Sequence, residues 1–347
     1  MEDSVREITY AEAINEALVQ EMSINPSIFV YGIGVPDHKK IFGTTNDLDS
    51  LYPGRSLDTP LSEAALTGFG IGAAIRGLRP VQIHIRMDFM LLALSQLVNM
   101  ASTHHYISGQ PVPLVIRGIV GRGWGQGCHH SKSLHGLFSG IPGLIVGMPS
   151  SPRDAKGMLT RSLRGLDPTL LIEHRWLYWA RGNVPKGSYE TPYTSSFIRR
   201  GSDVTIVATS WMVVEAMRAA EVMSERGVNV EIVDLRWSNP LTEDIMGNII
   251  LSVEKTERII IADNDWMRYG ISAEIFTTLV ESGVLPRTLN RIGQRPSPCP
   301  TARHLENKYY SGAREVIRAI EFALDLKPMD VDDVFDYSHE NKFRGPF

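Results

Sequence analysis

The sequence predicts an α/β protein built from two parallel-sheet domains. Short β-rich runs alternate with longer helical patterns, the signature of strands joined by crossover helices. The alternation occurs twice, on either side of residues 181–201, a stretch without clear period that carries prolines, glycines and charges. At 347 residues the chain is long enough for two domains with substantial cores.

The first domain is expected over residues 1–180. Its strands are the short apolar runs Ile28–Gly32, Val81–Ile85, Pro113–Arg117, Leu144–Met148 and Thr169–Glu173. Between them, helix-length patterns cover Thr9–Asn25, Ser62–Arg76, Asp88–His104 and Pro152–Leu166. Residues 181–202 read as a linker or peripheral ribbon. The second domain, 203–326, repeats the alternation with strands at Val204–Thr209, Asn229–Asp234, Arg258–Ala262 and Thr288–Ile292. Its helices are expected at Met212–Arg226, Glu243–Val253, Ile271–Glu281 and Ser311–Leu326. The final stretch, 327–347, is acidic and then aromatic, and reads as a tail.

Composition narrows the function classes. A net charge of −4 and a pI near 6.2 leave no basic surface of the kind that binds nucleic acid. Two cysteines, Cys128 and Cys299, make neither a disulfide framework nor a C-x-x-C pair, which favours a reducing, cytoplasmic setting. The acidic start MEDSVREITYAEA has no apolar h-region and is not Arg-rich, so neither a secretory nor an organelle leader is expected. No stretch approaches the roughly 18 apolar residues that span a bilayer.

The most informative segment is DTPLSEAALTGFGIGAAIRGLRP at 58–80. Glu63 opens a helix just after Pro60, with Ser62 as candidate cap, and small residues follow at 64, 65, 68, 70, 72, 73 and 74. Glycines at 68, 70, 72 and 77 weaken a helix by roughly 1 kcal/mol each, a cost tolerated where backbone or ligand comes close. A glutamate in a first turn also offsets the helix dipole, whatever else it does. The glycines do not form a dinucleotide loop: G-x-G-x-x-G is broken at Ile75 and lies inside the helix. No Walker loop is present either.

A second dense stretch is GIVGRGWGQGCHHSKSLH at 118–135, with glycines at 118, 121, 123, 125 and 127 before His129 and His130. A glycine-rich loop after a strand is a preferred site of chemistry. The nearby histidines lack a cysteine pair or carboxylate at metal-ligand spacing.

These two stretches resemble the beta subunits of thiamine diphosphate-dependent 2-oxo acid dehydrogenases, the group of the pyruvate, branched-chain 2-oxo acid and acetoin enzymes. The hallmarks are D-T-P-x-S-E at 58–63, H-S at 130–131 and P-G at 142–143, and the resemblance runs from Thr9 to Ile320. It implies a pyrimidine-binding domain followed by a transketolase C-terminal-like domain. It also assigns roles. Glu63 would hydrogen-bond N1′ of the cofactor's aminopyrimidine, Phe89 would pack on that ring, and Tyr106 would lie near the inner site. His130 would assist proton transfer on the 2-oxo acid, a task suited to an imidazole near neutral pKa.

The resemblance further implies a partner. No G-D-G occurs in the chain, so the diphosphate and its Mg2+ would be held by an alpha subunit in an α2β2 tetramer with a beta–beta contact. The acyl group would pass to a lipoyl acyltransferase core. A structural potassium ion would sit on carbonyls at Leu114, Ser162, Leu163, Gly165 and Asp167.

Departures from the family pattern also matter. Lys132 replaces a usual glutamine, His135 falls where glutamate is common, and His84, Arg86 and His104 are not typical. Arg86, His104 and Lys132 are therefore candidate substrate contacts. Ile33 stands where the family has a glutamate. Two rival readings follow: the C-terminal half of a split transketolase-like enzyme acting on a polar or phosphorylated ketose donor, or a non-catalytic scaffold that kept the fold.

Overall fold

The computed structural model describes residues 5–37, 39–121 and 126–331. The expectations for the leader, for Gly123 and Gly125, and for most of the tail lie outside the described residues. The described residues divide into two compact units: 5–37, 39–121, 132–192 and 237–240 form one, and 126–131, 193–236 and 241–331 form the other.

The first unit opens with β1 (Val5–Thr9), then α1 (Tyr10–Ile24). Thr9 and Glu12 make a reciprocal capping box that fixes the start of α1. β2 (Ile28–Gly32) follows, buried at every position, then the short α2 (Leu48–Leu51) and β3 (Ser56–Leu57). α3 (Glu63–Ile75) leads into β4 (Arg79–His84). Gly77 lies beyond α3 with φ +90°, so it turns the chain after the helix rather than weakening its interior.

The single helix expected over Asp88–His104 is wound in three ways. Met87–Ala93 is a 3-10 helix, Gln96–Ala101 is a π-helix, and α4 (Ser102–Ser108) is α-helical. The buried positions explain this. Met87, Met90 and Ala93 recur every third residue, as a 3-10 turn requires, and then Leu97 and Ala101 recur every fourth. β5 (Val115–Val120), α5 (His135–Ser139), β6 (Ile145–Gly147), α6 (Pro152–Arg164), β7 (Thr169–His174) and β8 (Arg181–Pro185) complete the unit. Ser151 caps α6 and Pro152 occupies its first turn, where no amide donor is needed.

Strands β6-β7-β5-β4-β2-β3 are parallel neighbours in one sheet, and residues 237–239 return to pair antiparallel at the β6 edge. β1 and β8 make a separate antiparallel ribbon, so part of the expected linker is strand.

In the second unit, β9 (Ser196–Arg199), β10 (Val204–Ala208), α7 (Trp211–Ser224) and β11 (Val230–Asp234) follow in order. β12 (Trp237–Asn239) is the strand that joins the first unit. α8 (Glu243–Thr256), β13 (Arg258–Trp266), α9 (Ile271–Glu281), β14 (Thr288–Gln294), α10 (Arg303–Tyr309) and α11 (Ala313–Ala323) complete the unit. The sheet order is β14-β13-β10-β11-β9, parallel except for β9. Its core joins Val204, Ile206, Val230 and Ile260 to the inner faces of α7 and α11. No helix of the described residues is long and apolar enough to cross a membrane.

Candidate active site

The turn that presents Glu63 is fastened from below. Asp58 accepts hydrogen bonds from the Gly34 amide at 2.8 Å and the Thr59 amide at 3.0 Å, tying the D-T-P turn to the end of β2. Gly34 takes φ +71° there, and Gly32, at φ +152°, has no room for a Cβ against the Ile83 carbonyl. Two contacts set α3 on the sheet: Thr67 donates to Gln82 at 3.0 Å, and Tyr31 donates its hydroxyl to the Leu66 carbonyl at 3.0 Å. The Tyr31 oxygen would lie 2.2 Å from a Cβ at Gly70, so this glycine serves a close approach. Gly68 and Gly72 meet nothing within 4 Å.

Glu63 is the first residue of α3, half-buried, and its carboxylate has no hydrogen bond or ion pair among the described residues. Ser62 precedes it without a side-chain capping bond, which corrects the expected cap: its backbone lies outside the usual N-cap geometry. The first-turn amides and the carboxylate are therefore both available to a ligand.

α3 packs on the 3-10 turn that carries Phe89. That turn is seated by Gly118 of β5, where an added Cβ would fall 2.7 Å from the Met87 sulfur. Phe89 keeps 39% of its surface exposed and Tyr106, on α4, 96%. Leu61, Phe69, Leu92, Met100 and Ile107 are exposed as well.

Charged groups border Phe89 in the chain. Arg86 is 7% exposed, which settles its direction away from bulk solvent, and donates to its own neighbour's carbonyl at Ile85, 2.9 Å away. Burial lowers its pKa, partly offset by Asp88 and Tyr178. Asp88, also buried, accepts from the Lys132 ammonium at 2.8 Å and faces the Lys132 amide at 3.4 Å. Burial alone pushes the His84 imidazole down to about 4. His104 is half-buried, with Nε2 lacking a hydrogen-bond partner among the described residues, and His105 meets Asp167 at 2.8 Å. His135 is fully buried and its Nδ1 lies 3.2 Å from the Ser133 hydroxyl.

His130 belongs to the second unit. It closes the 3-10 turn Gly127–His129, is half-buried, and has Nδ1 3.4 Å from the Gln126 carbonyl. Gly127 takes φ +63°, and Ser131 donates back to its carbonyl at 2.6 Å, which fixes the turn that carries the histidine.

The potassium positions are arranged differently from the expectation. Arg79 donates to the carbonyls of Leu163 at 2.8 Å and Gly165 at 2.7 Å. Leu114 and Ser162 accept from the amides of Thr169 and Gly165, and the Asp167 carbonyl accepts from the Thr169 hydroxyl. An alkali ion on the Leu163 and Gly165 oxygens would stand against a guanidinium, so the set as arranged does not form a cage for one. No local signal in the sequence links Arg79 to positions 163 and 165. The arrangement needs the start of β4 beside the end of α6.

Residues 6–179 match the family described as transketolase, pyrimidine binding domain, and 194–316 match transketolase, C-terminal domain. The chain is 36% identical over 329 residues to the beta subunit of acetoin:2,6-dichlorophenolindophenol oxidoreductase of Cupriavidus necator, covering 90% of this chain and 96% of that one. It is also 36% identical over 330 residues to a mitochondrial pyruvate dehydrogenase E1 component subunit beta of Pisum sativum, covering 92% and 91%. Among solved structures it is similar to a split gene transketolase in an inactive beta4 tetramer. That match has a TM-score of 0.74 and 20% identity over 92% of this chain and 99% of that one, a likeness of fold.

Proposed function

The chain belongs to the E1 beta-subunit family of the thiamine diphosphate-dependent dehydrogenases, and we propose that it supplies the pyrimidine-facing half of a site completed by an alpha subunit. The single observation that carries this is Glu63, set at the first position of α3 with its carboxylate unengaged by the described residues. When bound, thiamine diphosphate supplies a thiazolium carbon that acts as the electron sink for a 2-oxo acid or acyloin.

In this reading Glu63 holds the proton at the pyrimidine N1′. Phe89 offers its exposed ring to the pyrimidine face, and Tyr106 lines the entrance. His130 gives or takes the proton at the substrate oxygen. The alpha subunit holds the diphosphate and Mg2+, the assembly is α2β2 with a beta–beta contact, and a lipoyl group on an acyltransferase core accepts the acyl product. The setting is cytoplasmic.

Co-expression with a cognate alpha subunit is the test. The complex is expected to consume a 2-oxo acid or acetoin only with thiamine diphosphate present, and the isolated chain to turn over nothing. Robust turnover by the isolated chain would overturn the divided site. A second reading, a split transketolase-type enzyme, is favoured by one observation, the cations Arg86 and Lys132 around Asp88. Cleavage of ketose phosphates with no turnover of 2-oxo acids or acetoin would reverse the ranking.

A further inference from the structure

We propose that Tyr310 and Ser131 are positioning residues for His130, their hydroxyls fastening the turn that carries the imidazole to the strand ends of the second unit. The inference rests on the role given to His130 above and deepens it.

The turn needs an outside hold. Glycines at 118, 121, 123, 125 and 127 lead into it, and glycine loses more conformational freedom on ordering than any other residue. Residues 126–131 nonetheless group with the second unit, although β5, the strand before them, belongs to the first. The approach is close. A Cβ at Gly127 would fall 2.7 Å from the Thr301 hydroxyl oxygen.

Ser131 is buried and donates to the Gly127 carbonyl at 2.6 Å, which closes the turn from its far end. The Ser131 hydroxyl also shares a hydrogen bond with the Tyr310 hydroxyl. Ser131 has one proton and spends it on Gly127, so Tyr310 donates and Ser131 accepts. Burial pushes the Tyr310 phenol well above its ordinary pKa, which keeps that donor proton in place. The Cys299 thiol lies behind, with Sγ 3.6 Å from the Tyr310 oxygen and 3.7 Å from the Pro300 carbonyl.

Tyr310 is itself anchored. It follows α10 directly, and its ring meets that of Tyr309 edge-on at 5.0 Å. The Tyr309 hydroxyl donates to Gln294 at 2.9 Å and accepts from the Trp266 indole at 3.1 Å, at the ends of β14 and β13. The contacts therefore run from two strand ends, through Tyr310 and Ser131, to the first residue of the turn.

The turn governs the imidazole. His130 Nδ1 lies 3.4 Å from the Gln126 carbonyl, which can only accept, so Nδ1 carries the proton and Nε2 exchanges one with substrate. A loosened turn would disturb both ring direction and tautomer. Misplacement by about 1 Å costs on the order of 10²-fold in rate.

The complex with its alpha subunit would be measured in two ways. Loaded with thiamine diphosphate and Mg2+, it would be assayed on pyruvate, 3-methyl-2-oxobutanoate and acetoin. Ser131→Ala is expected to lower kcat by about 10- to 100-fold and Tyr310→Phe by about 5- to 20-fold, each with KM changed less than about threefold. Ser131→Thr, which keeps the hydroxyl, should recover most of the loss. Tyr310 acts through Ser131, so the double variant should be no slower than Ser131→Ala alone. Without cofactor or substrate, hydrogen–deuterium exchange of peptides spanning 126–132 should quicken about 10-fold in either single variant, with peptides of β4 and β5 unchanged.

Losses that multiply in the double variant, or exchange that quickens throughout the chain, would show a merely structural role and overturn this inference. Unchanged kcat in both single variants, where His130→Gln abolishes turnover, would overturn it alone. Unchanged turnover in His130→Gln, or no thiamine-dependent turnover on any of the three substrates, would overturn the parent reading and this inference with it.

Discussion

The Arg117 guanidinium faces the Glu173 carboxylate as a two-point pair inside the first unit, Nε to Oε1 at 2.5 Å and Nη2 to Oε2 at 2.8 Å. The same Nη2 reaches the Thr44 hydroxyl at 3.0 Å, and Tyr178 donates to Glu173 at 2.7 Å. Burial works against the arginine's charge, yet the carboxylate beside it holds the guanidinium protonated. Neutralising one partner leaves a buried charge without its counter-ion. Arg117→Met or Glu173→Gln is therefore expected to cost about 3–5 kcal/mol, read as a lower denaturant midpoint with unchanged slope. The double variant should cost less than the sum of the two.

Glu63→Gln should leave assembly intact, since the carboxylate ties no other part of the described chain. Removing one preorganised contact of this kind typically costs about 2.7–4 kcal/mol of transition-state stabilisation. Turnover of the reconstituted complex is thus expected to fall by about 10²- to 10³-fold with the same sedimentation profile. Unchanged turnover would remove Glu63 from the mechanism.

His84 makes stability depend on acid pH. Its folded pKa, about 4, lies below the ordinary 6.5, so as pH falls the unfolded chain takes up the proton first. Its contribution is complete above pH 6.5 and is lost as pH drops toward 4, by about 1.4 kcal/mol per unit and about 3 kcal/mol in all. Denaturation midpoints measured from pH 7.5 to 4.5 should decline, and His84→Gln should flatten that decline.

Arg79 donates to two of the carbonyls expected for an alkali ion. Exchanging potassium for sodium or choline is expected to move the melting temperature by less than about 1 °C, well inside the several degrees that 1 kcal/mol is worth. Arg79→Gln should cost about 1–3 kcal/mol by leaving the carbonyls short of donors, and the variant should then gain stability from potassium. A wild-type melting temperature that rises steeply with potassium would refute the substitution.

The central strands and longer helices were legible because their signals are local. Ile28–Gly32 and Ile271–Glu281 keep their expected bounds. The pairing of β1 with β8 was not legible, because their mostly exposed and half-exposed residues carry little apolar alternation and the pairing joins positions about 175 apart. The candidate residues Glu63, Phe89, Tyr106 and His130 came from motif resemblance. The Lys132–Asp88 and Arg117–Glu173 contacts were not legible, because each needs segments 44 and 56 positions apart to be placed side by side. The change of winding after Arg86 was written in the burial spacing, but hydrophobicity alone does not distinguish steps of three from steps of four when Leu91, Leu92 and Leu94 fill the gaps.

The π-helical stretch Gln96–Ala101 has an evolutionary consequence. A turn closed from i to i+5 holds one residue more than an α-turn, so the stretch behaves as an insertion already absorbed into a helix. Everything downstream is rotated by about 100° from where an uninterrupted α-helix would place it. Tyr106 points outward and His105 meets Asp167 in that rotated frame. A one-residue deletion between 96 and 101 would rewind the segment to an α-helix and swing both side chains around the axis. The strands beneath would keep their register. Gain or loss of one codon here is therefore a route by which a lineage could redirect Tyr106 and His105 without rebuilding the sheet.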